Sequence, residues 1–418
     1  MPATSTPESR PPSPGPAEKW GSVRSGNPAR RLKVLFLTCW YPAAGAPVVA
    51  PFTRDHALAV ALYADVLVLH SDAARSRPPA ACRLTREADP DLHQGIPTYH
   101  VHSRCLAPAA LDQALSLAHT LRAVRAIGRG GFRPDLVHGH GYDSAVASAL
   151  AARMLGVPFV LTLHSSLQVG GARSRVERLA ARAVCRRARC VMPVSRTLHS
   201  ALEASGFRAR FAVVPNVVDL GCFSPAARPA AAASPPGKRL IAVTRMTGIK
   251  GIDTLLAAAA RLRARRRDWH LDIVGGGERG EEYRRLARDL GLAGCTTFHG
   301  ELERRDVAAR LRRATLFVLA SERETFSVAT LEALACGVPV VITACGGPQE
   351  LVDGAAGLVV PPHDPGALCQ AIDRMLDRAA GVDRAAVAAA VAGRFSAAAV
   401  GRQILEVYDR VLGAAGAP

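Results

Sequence analysis

The sequence predicts an α/β protein made of two doubly wound parallel-sheet domains that face each other across a cleft. Three observations carry this. Short apolar, β-branched runs alternate with helix-period stretches along most of the chain. A Pro/Ala/Ser-rich segment, SPAARPAAAASPPGK (224–238), splits that alternation into two series. The 418 residues are also too many for one core and suit two of ordinary size.

The first series (31–220) opens with LKVLFLTCW (32–40), an apolar run typical of a buried parallel strand. Helix 51–63, strand 65–71, helix 109–127, strand DLVHGH (135–140), helix 143–155 and strand FVLTLH (159–164) follow. A basic helix (173–189), strand CVMPVS (190–195), a short helix and strand FAVVPN (211–216) complete it. After a connection at 221–238, the second series (239–396) reads as strand 239–245, helix 251–266, strand 269–275, helix 280–290 and strand 296–300. Helix 304–313, strand LFVLAS (316–321), helix 327–335, strand VPVVIT (338–343), a short GLVVP strand and helix 364–377 follow. In such sheets ligands bind off the carboxyl ends of the strands, so the cleft between the domains is the expected site.

Composition narrows the setting. Residues 1–30 are rich in Pro, Ser and Gly, are expected to be disordered, and lack the apolar core of a secretory signal. No uncharged apolar run approaches the length needed to span a bilayer. The ten cysteines are scattered without a CxxC pair, which implies reduced thiols and a cytoplasmic location. The net charge of +18, almost all arginine, has two readings: attraction to an anionic surface, or a codon bias that places Arg where Lys could stand. Nucleic acid is set aside because no aromatic-interleaved basic strand or reader motif accompanies the charge. The arginine-rich helix 173–189 reads first as a solvated helix face, and in a sharper reading as a first-domain surface resting on an anionic membrane.

The chemistry concentrates in SERETFSVATLEALACGVP (321–339), between two strands. Glu324 falls in the turn after the first strand, beside a helix start near Phe326, Ser327 and Val328. Glu332, two turns later, returns to the same face. Carboxylates there can accept hydrogen bonds from sugar and ribose hydroxyls, while free helix N–H groups receive anionic oxygens. Arg245 ends a strand and Lys250 follows in the next loop, a pair able to balance a diphosphate without a metal. VGGGERG (274–280) satisfies GxGxxG through Gly275, Gly277 and Gly280, so a nicotinamide or flavin oxidoreductase is a competing reading. ACGGPQELV (344–352) reads equally as an ordinary helix start or as amides near phosphates. His138 and His140 share a strand face without an evident third ligand, and Asp89-Pro90-Asp91 reads as a turn, so no metal is expected.

Segment 321–339 resembles the EX7E signature of the retaining nucleotide-sugar glycosyltransferases of family 4, which have the GT-B fold, and the likeness runs from about Leu32 to about Leu412. The resemblance implies a hexosyltransferase-type enzyme that moves a sugar from a UDP-, GDP- or ADP-sugar to a hydroxyl of a saccharide or lipid-linked acceptor, with retention and no cofactor. It implies that Arg245 and Lys250 hold the diphosphate, Glu324 the donor sugar and Glu332 the ribose. Gly275 and Gly276 would lie near the nucleotide, and backbone amides at 326–328 would assist. His164 matches the strand-end histidine beside the anomeric carbon. Gly45 and Arg54, in the segment resembling YP…G-x-F-x-R-x-x-A, with His140 and Ser195, fall on the acceptor side; Ala50 stands where the family has glycine. PNVVD (215–219) matches the inter-domain PNGVD element with Val217 for Gly, and helix 397–412 resembles the closing helix that packs back on the first domain. A GT-B scaffold that binds a partner without catalysis is the third reading; the carboxylates and cations together weigh against it.

Overall fold

The computed structural model describes residues 30–43, 50–72, 83–87, 93–102, 109–165, 175–225, 237–354 and 356–414. The first domain runs β1 (Lys33–Thr38), α1 (Pro51–Ala61), β2 (Asp65–Asp72), β3 (Arg83–Arg86), β4 (Thr98–His102), α2 (Ala109–Arg129) and β5 (Leu136–His140). It continues α3 (Tyr142–Leu155), β6 (Phe159–Leu163), α4 (Arg175–Arg187), β7 (Cys190–Pro193) and α5 (Arg196–Ala204). Its strand order is β3-β4-β2-β1-β5-β6-β7, with the central strands buried on both faces.

Three expectations need correction. The first sheet is mixed: β3 runs antiparallel to β4 at the edge, and the sequence reading contained neither strand. RLTR is a short polar edge strand, and TYHVH, paired on both sides, buries Thr98 and His100, so neither shows the apolar run of a buried strand. FAVVPN is not a strand; Phe211 makes only an isolated bridge to Val191, and Pro215 has no N–H to extend a ladder. An Ala-rich helix, found below as α11, was likewise not expected.

The second domain runs β8 (Lys238–Val243), α6 (Ile252–Arg265), β9 (Trp269–Val274), α7 (Gly280–Asp289), β10 (Thr296–Gly300), α8 (Arg304–Arg313) and β11 (Leu316–Leu319). Then come α9 (Val328–Ala335), β12 (Val340–Thr343), β13 (Gly357–Val360), α10 (Pro365–Arg378) and α11 (Arg384–Phe395). Its sheet is parallel throughout, in the order β10-β9-β8-β11-β12-β13.

The last helix, α12 (Ala397–Gly413), packs on α1 of the first domain. Val400, Ile404 and Val407 are buried with Val34, Phe36 and Val60, each contributing roughly 1.5–3 kcal/mol by leaving water. Gly401 lets the helix approach the Ala59 carbonyl, where a Cβ would collide. The Tyr63 hydroxyl donates to the Ala398 carbonyl at 3.0 Å.

Each strand order reverses once beside its central strand: between β1 and β5, and between β8 and β11. The loops leaving these strands diverge to opposite faces, which opens a crevice at the carboxyl ends. The two carboxyl edges face each other, since Thr325 after β11 donates its hydroxyl to the carbonyl of His164 after β6 at 2.7 Å.

Candidate active site

In the second domain the crevice lies between the loop after β8 and the loop after β11. Gly251 ends the turn Gly248–Lys250 with φ +60 and sits against the Ala320 carbonyl, where any Cβ would clash. The Glu322 N–H donates to the Ile249 carbonyl at 2.9 Å, pinning the loops together. Lys250 Nζ therefore meets Glu324 Oε1 at 2.7 Å, and the Ser321 hydroxyl donates to the same oxygen at 2.9 Å. Arg245, on the same loop, is exposed and makes no ion pair with a described residue. A Cβ at Gly275 would strike the Thr244 carbonyl, and one at Gly276 would crowd Glu301. The glycine loop is thus packed against the Arg245 loop, with Met246 N–H donating to the Gly276 carbonyl at 2.7 Å.

Helix α9 starts under strain. Ser327 caps it from the left-handed region, φ 66, and its hydroxyl accepts from Thr330 N–H at 3.3 Å. The N–H groups of the first turn at Val328 have no intrahelical acceptor. The Phe326 ring is buried edge-on to Phe395, so this residue can reach a ligand only through its backbone. Glu332 is buried one turn further, 3.4 Å from Arg304 Nη2. Arg304 reaches across to Asp55 of α1 at 3.2 Å, and Asp55 also pairs with Arg54. Burial pushes Glu332 up to about 7 despite Arg304, and it raises Asp55 as well. Burial alone would lower Arg304, but Asp55 and Glu332 raise it on balance.

On the first-domain side imidazoles converge. His164 Nδ1 lies 3.0 Å from Asn216 Oδ1, and its Nε2 lies 3.2 Å from His140 Nδ1. Burial holds both rings well below the usual histidine value, so they are neutral near pH 7. Neutral His164 donates from Nδ1 to Asn216 and accepts at Nε2 from His140. His140 Nε2 is then a buried lone pair without a partner among the described residues. The Phe52 ring packs tilted against His164 with centroids 4.4 Å apart, and His56 lies beside both imidazoles. The sequence shows no third ligand for His138 and His140, whereas in space His56, His140 and His164 bring ring nitrogens within 4.8 Å of one another. His138 instead bonds Tyr408 and Thr162, at 2.6 and 2.7 Å.

The remaining candidates fall elsewhere. The Ser195 hydroxyl caps α5 and donates to the Thr325 carbonyl at 2.6 Å, at the seam between the domains. Arg54 lies on α1 beside Asp55. Gly45 and the Asp89–Asp91 pair lie outside the described residues. Sequence reasoning missed Phe52, Asp55, Asn216, Arg304 and Thr325 as site neighbours. Phe52 and Asn216 sat inside quoted motifs, while Arg304 is one arginine of a charged run and carried no signal.

The pattern described as "Glycosyl transferases group 1" matches residues 237–378, and "Glycosyltransferase Family 4" matches 64–221. A D-inositol 3-phosphate glycosyltransferase of Frankia alni is 31% identical over 305 residues, covering 66% of this chain and 74% of that protein. One of Nocardioides sp. is 31% identical over 356 residues and covers 77% of each. Among solved structures, sucrose-phosphate synthase from Thermosynechococcus elongatus superposes with a TM-score of 0.71 at 22% identity, over 92% of this chain and 100% of that one. Anabaena HepE in complex with UDP-glucose gives 0.70 at 21% identity, over 91% and 100%. The chain belongs to the group 1, family 4 glycosyltransferases and has their GT-B fold.

Proposed function

We propose that the protein transfers a hexose from a nucleotide-diphosphate sugar to a hydroxyl acceptor with retention of anomeric configuration. The carrying observation is the Lys250–Glu324 pair at the strand-order reversal, 2.7 Å apart, beside exposed Arg245 and the start of α9. The bond from anomeric carbon to phosphate oxygen breaks, and the acceptor oxygen bonds that carbon on the same face. The acceptor proton passes to the departing phosphate oxygen. Arg245, Lys250 and the amides at 326–328 balance charge developing on the diphosphate, the task a divalent cation performs in other transferases. Glu324 orients the donor sugar through Oε2, since Oε1 already receives Lys250 and Ser321. Glu332 takes the ribose hydroxyls. Neutral His164 lines the anomeric centre as a dipole and not as an acid.

For the acceptor, the relatives named for D-inositol 3-phosphate favour a phosphorylated cyclitol over the lipid-linked or polysaccharide precursor suggested by the sequence. A lipid-linked acceptor would suit the exposed Leu179, Arg186 and Arg187 of α4 resting on an anionic membrane from the cytoplasmic side. Among the described residues, no helix is long and apolar enough to cross a membrane. The test is product analysis with UDP-, GDP- and ADP-sugars against D-inositol 3-phosphate and a lipid-linked saccharide, with and without Mg2+ or Mn2+. Transfer with retention, unchanged by either ion, is expected. Inversion, or strict dependence on the ion, overturns the mechanism.

A further inference from the structure

A second polar cluster lies outside the candidate active site, on the β3–β4 edge absent from the sequence reading. Glu87 leaves β3 and is fixed to β4 by its N–H, which donates to the Thr98 carbonyl at 2.9 Å. His100, in the middle of β4, pairs with His70 of β2 on one side and Thr85 of β3 on the other. His93 opens the turn before β4, where Gln94 and Gly95 both have positive φ and Ile96 N–H closes back on the His93 carbonyl. Three separate backbone segments thus deliver one carboxylate and two imidazoles to one buried point, with donor atoms within 4.8 Å of each other.

We propose that Glu87, His93 and His100 form a zinc site that staples the end of β3 and the turn before β4 to β4 itself. A Glu87 carboxylate oxygen lies 3.1 Å from His100 Nε2 and 3.8 Å from His93 Nε2. A tetrahedral zinc with ligands at about 2.0–2.2 Å separates its donors by about 3.4 Å, between those two values. His70 Nδ1 stands 3.1 Å from His100 Nδ1, so His100 can donate its Nδ1 proton there and turn an Nε2 lone pair towards Glu87 and His93. The carboxylate supplies the charge that the His56, His140 and His164 cluster lacks, and mixed imidazole and carboxylate donors suit zinc better than magnesium. The Tyr41 ring lies 5.0 Å from His93, so the ion would also brace the chain where it leaves β1. Its role is structural, and it takes no part in sugar transfer.

Full-length protein, stripped of metal and titrated with zinc against a chromophoric chelator, is expected to bind one ion with Kd below about 1 µM. Glu87→Gln and His93→Gln are each expected to weaken binding by about 100-fold, whereas His56→Gln leaves it unchanged. X-ray absorption on the wild-type zinc form gives a reading free of variant folding: two imidazoles and a carboxylate oxygen at about 2.0–2.2 Å. Binding no tighter than about 100 µM would mean that Glu87 only pairs with a protonated imidazole, and would overturn the proposal. Zinc held by imidazoles alone, or lost on His56→Gln but not on His93→Gln, would overturn it too.

Discussion

Lys250 is the residue on which the proposed chemistry turns. Its ammonium is held by Glu324 at 2.7 Å and is largely screened from water, so in the proposed mechanism it meets the donor without reorganising. Lys250→Ala is expected to cut turnover by about 100- to 1,000-fold, the usual cost of removing one preorganised donor, with the far-ultraviolet circular dichroism unchanged. A variant that turns over at nearly the wild-type rate would refute the role. Glu332 sets a pH dependence. Its pKa, pushed up to about 7 by burial, makes it neutral in much of the donor-free protein below that pH. In the proposed role both ribose hydroxyls donate to the Glu332 carboxylate, so KM for the donor is expected to fall as pH rises from about 6 to about 8. In Glu332→Gln the profile flattens; an unchanged profile would move the titration to another group. The stability sign runs the other way. The folded pKa lies above the unfolded one, so this contribution is fully present below the unfolded value and is lost as pH rises through about 7.

At the scale of elements, the site depends on loops that only glycine permits. Gly251 has φ +60 and abuts the Ala320 carbonyl, so Gly251→Ala pays for a left-handed alanine, about 1–2 kcal/mol, and must also push the β11 loop away. The expected result is a lower thermal midpoint together with weakened nucleotide affinity. Weakened stability with unaltered affinity would separate the turn from the site. Such loops were readable as motifs, because a fixed backbone shape leaves a fixed residue spacing. The central strands were readable too, because burial on both faces demands uninterrupted apolar runs. Strands β3 and β4 were not: the edge strand β3 tolerates Arg and Thr, and β4 inside it buries Thr98 and His100 in place of an apolar run. Ala50 shows how a substitution can mislead: it stands where the family has glycine, yet it still takes φ 46 as the cap of α1. Val217 has the opposite outcome, for it is buried and is not among the positive-φ residues, so no glycine is needed there.

The whole molecule is held by contacts that no local pattern announces, because their partners lie far apart in sequence. Helix α12 ties the domains permanently through its apolar face. Nearer the cleft the ties are polar: Thr325 to the His164 carbonyl, Glu350 to the Thr197 N–H at 2.8 Å, and Arg304 between Asp55 and Glu332. Arg304 differs from the rest because it joins a first-domain carboxylate to the proposed ribose ligand. A donor that occupied Glu332 would compete for one of its two partners while leaving the other. Removing Arg304 leaves buried Glu332 without a cation and Asp55 with Arg54 as its remaining partner, a loss of about 3–5 kcal/mol if Glu332 stays charged. Uptake of a proton or opening of the cleft to water relieves it. Arg304→Met is therefore expected to increase the radius of gyration of the donor-free protein in X-ray scattering and to speed proteolysis between the domains, while α12 keeps them joined. Adding Asp55→Asn should restore much of the compactness, since it removes the carboxylate charge that repels Glu332. If Arg304→Met scattered like the wild type, closure would rest on the Thr325 and Glu350 contacts alone, and Arg304 would serve only to hold Glu332 in place.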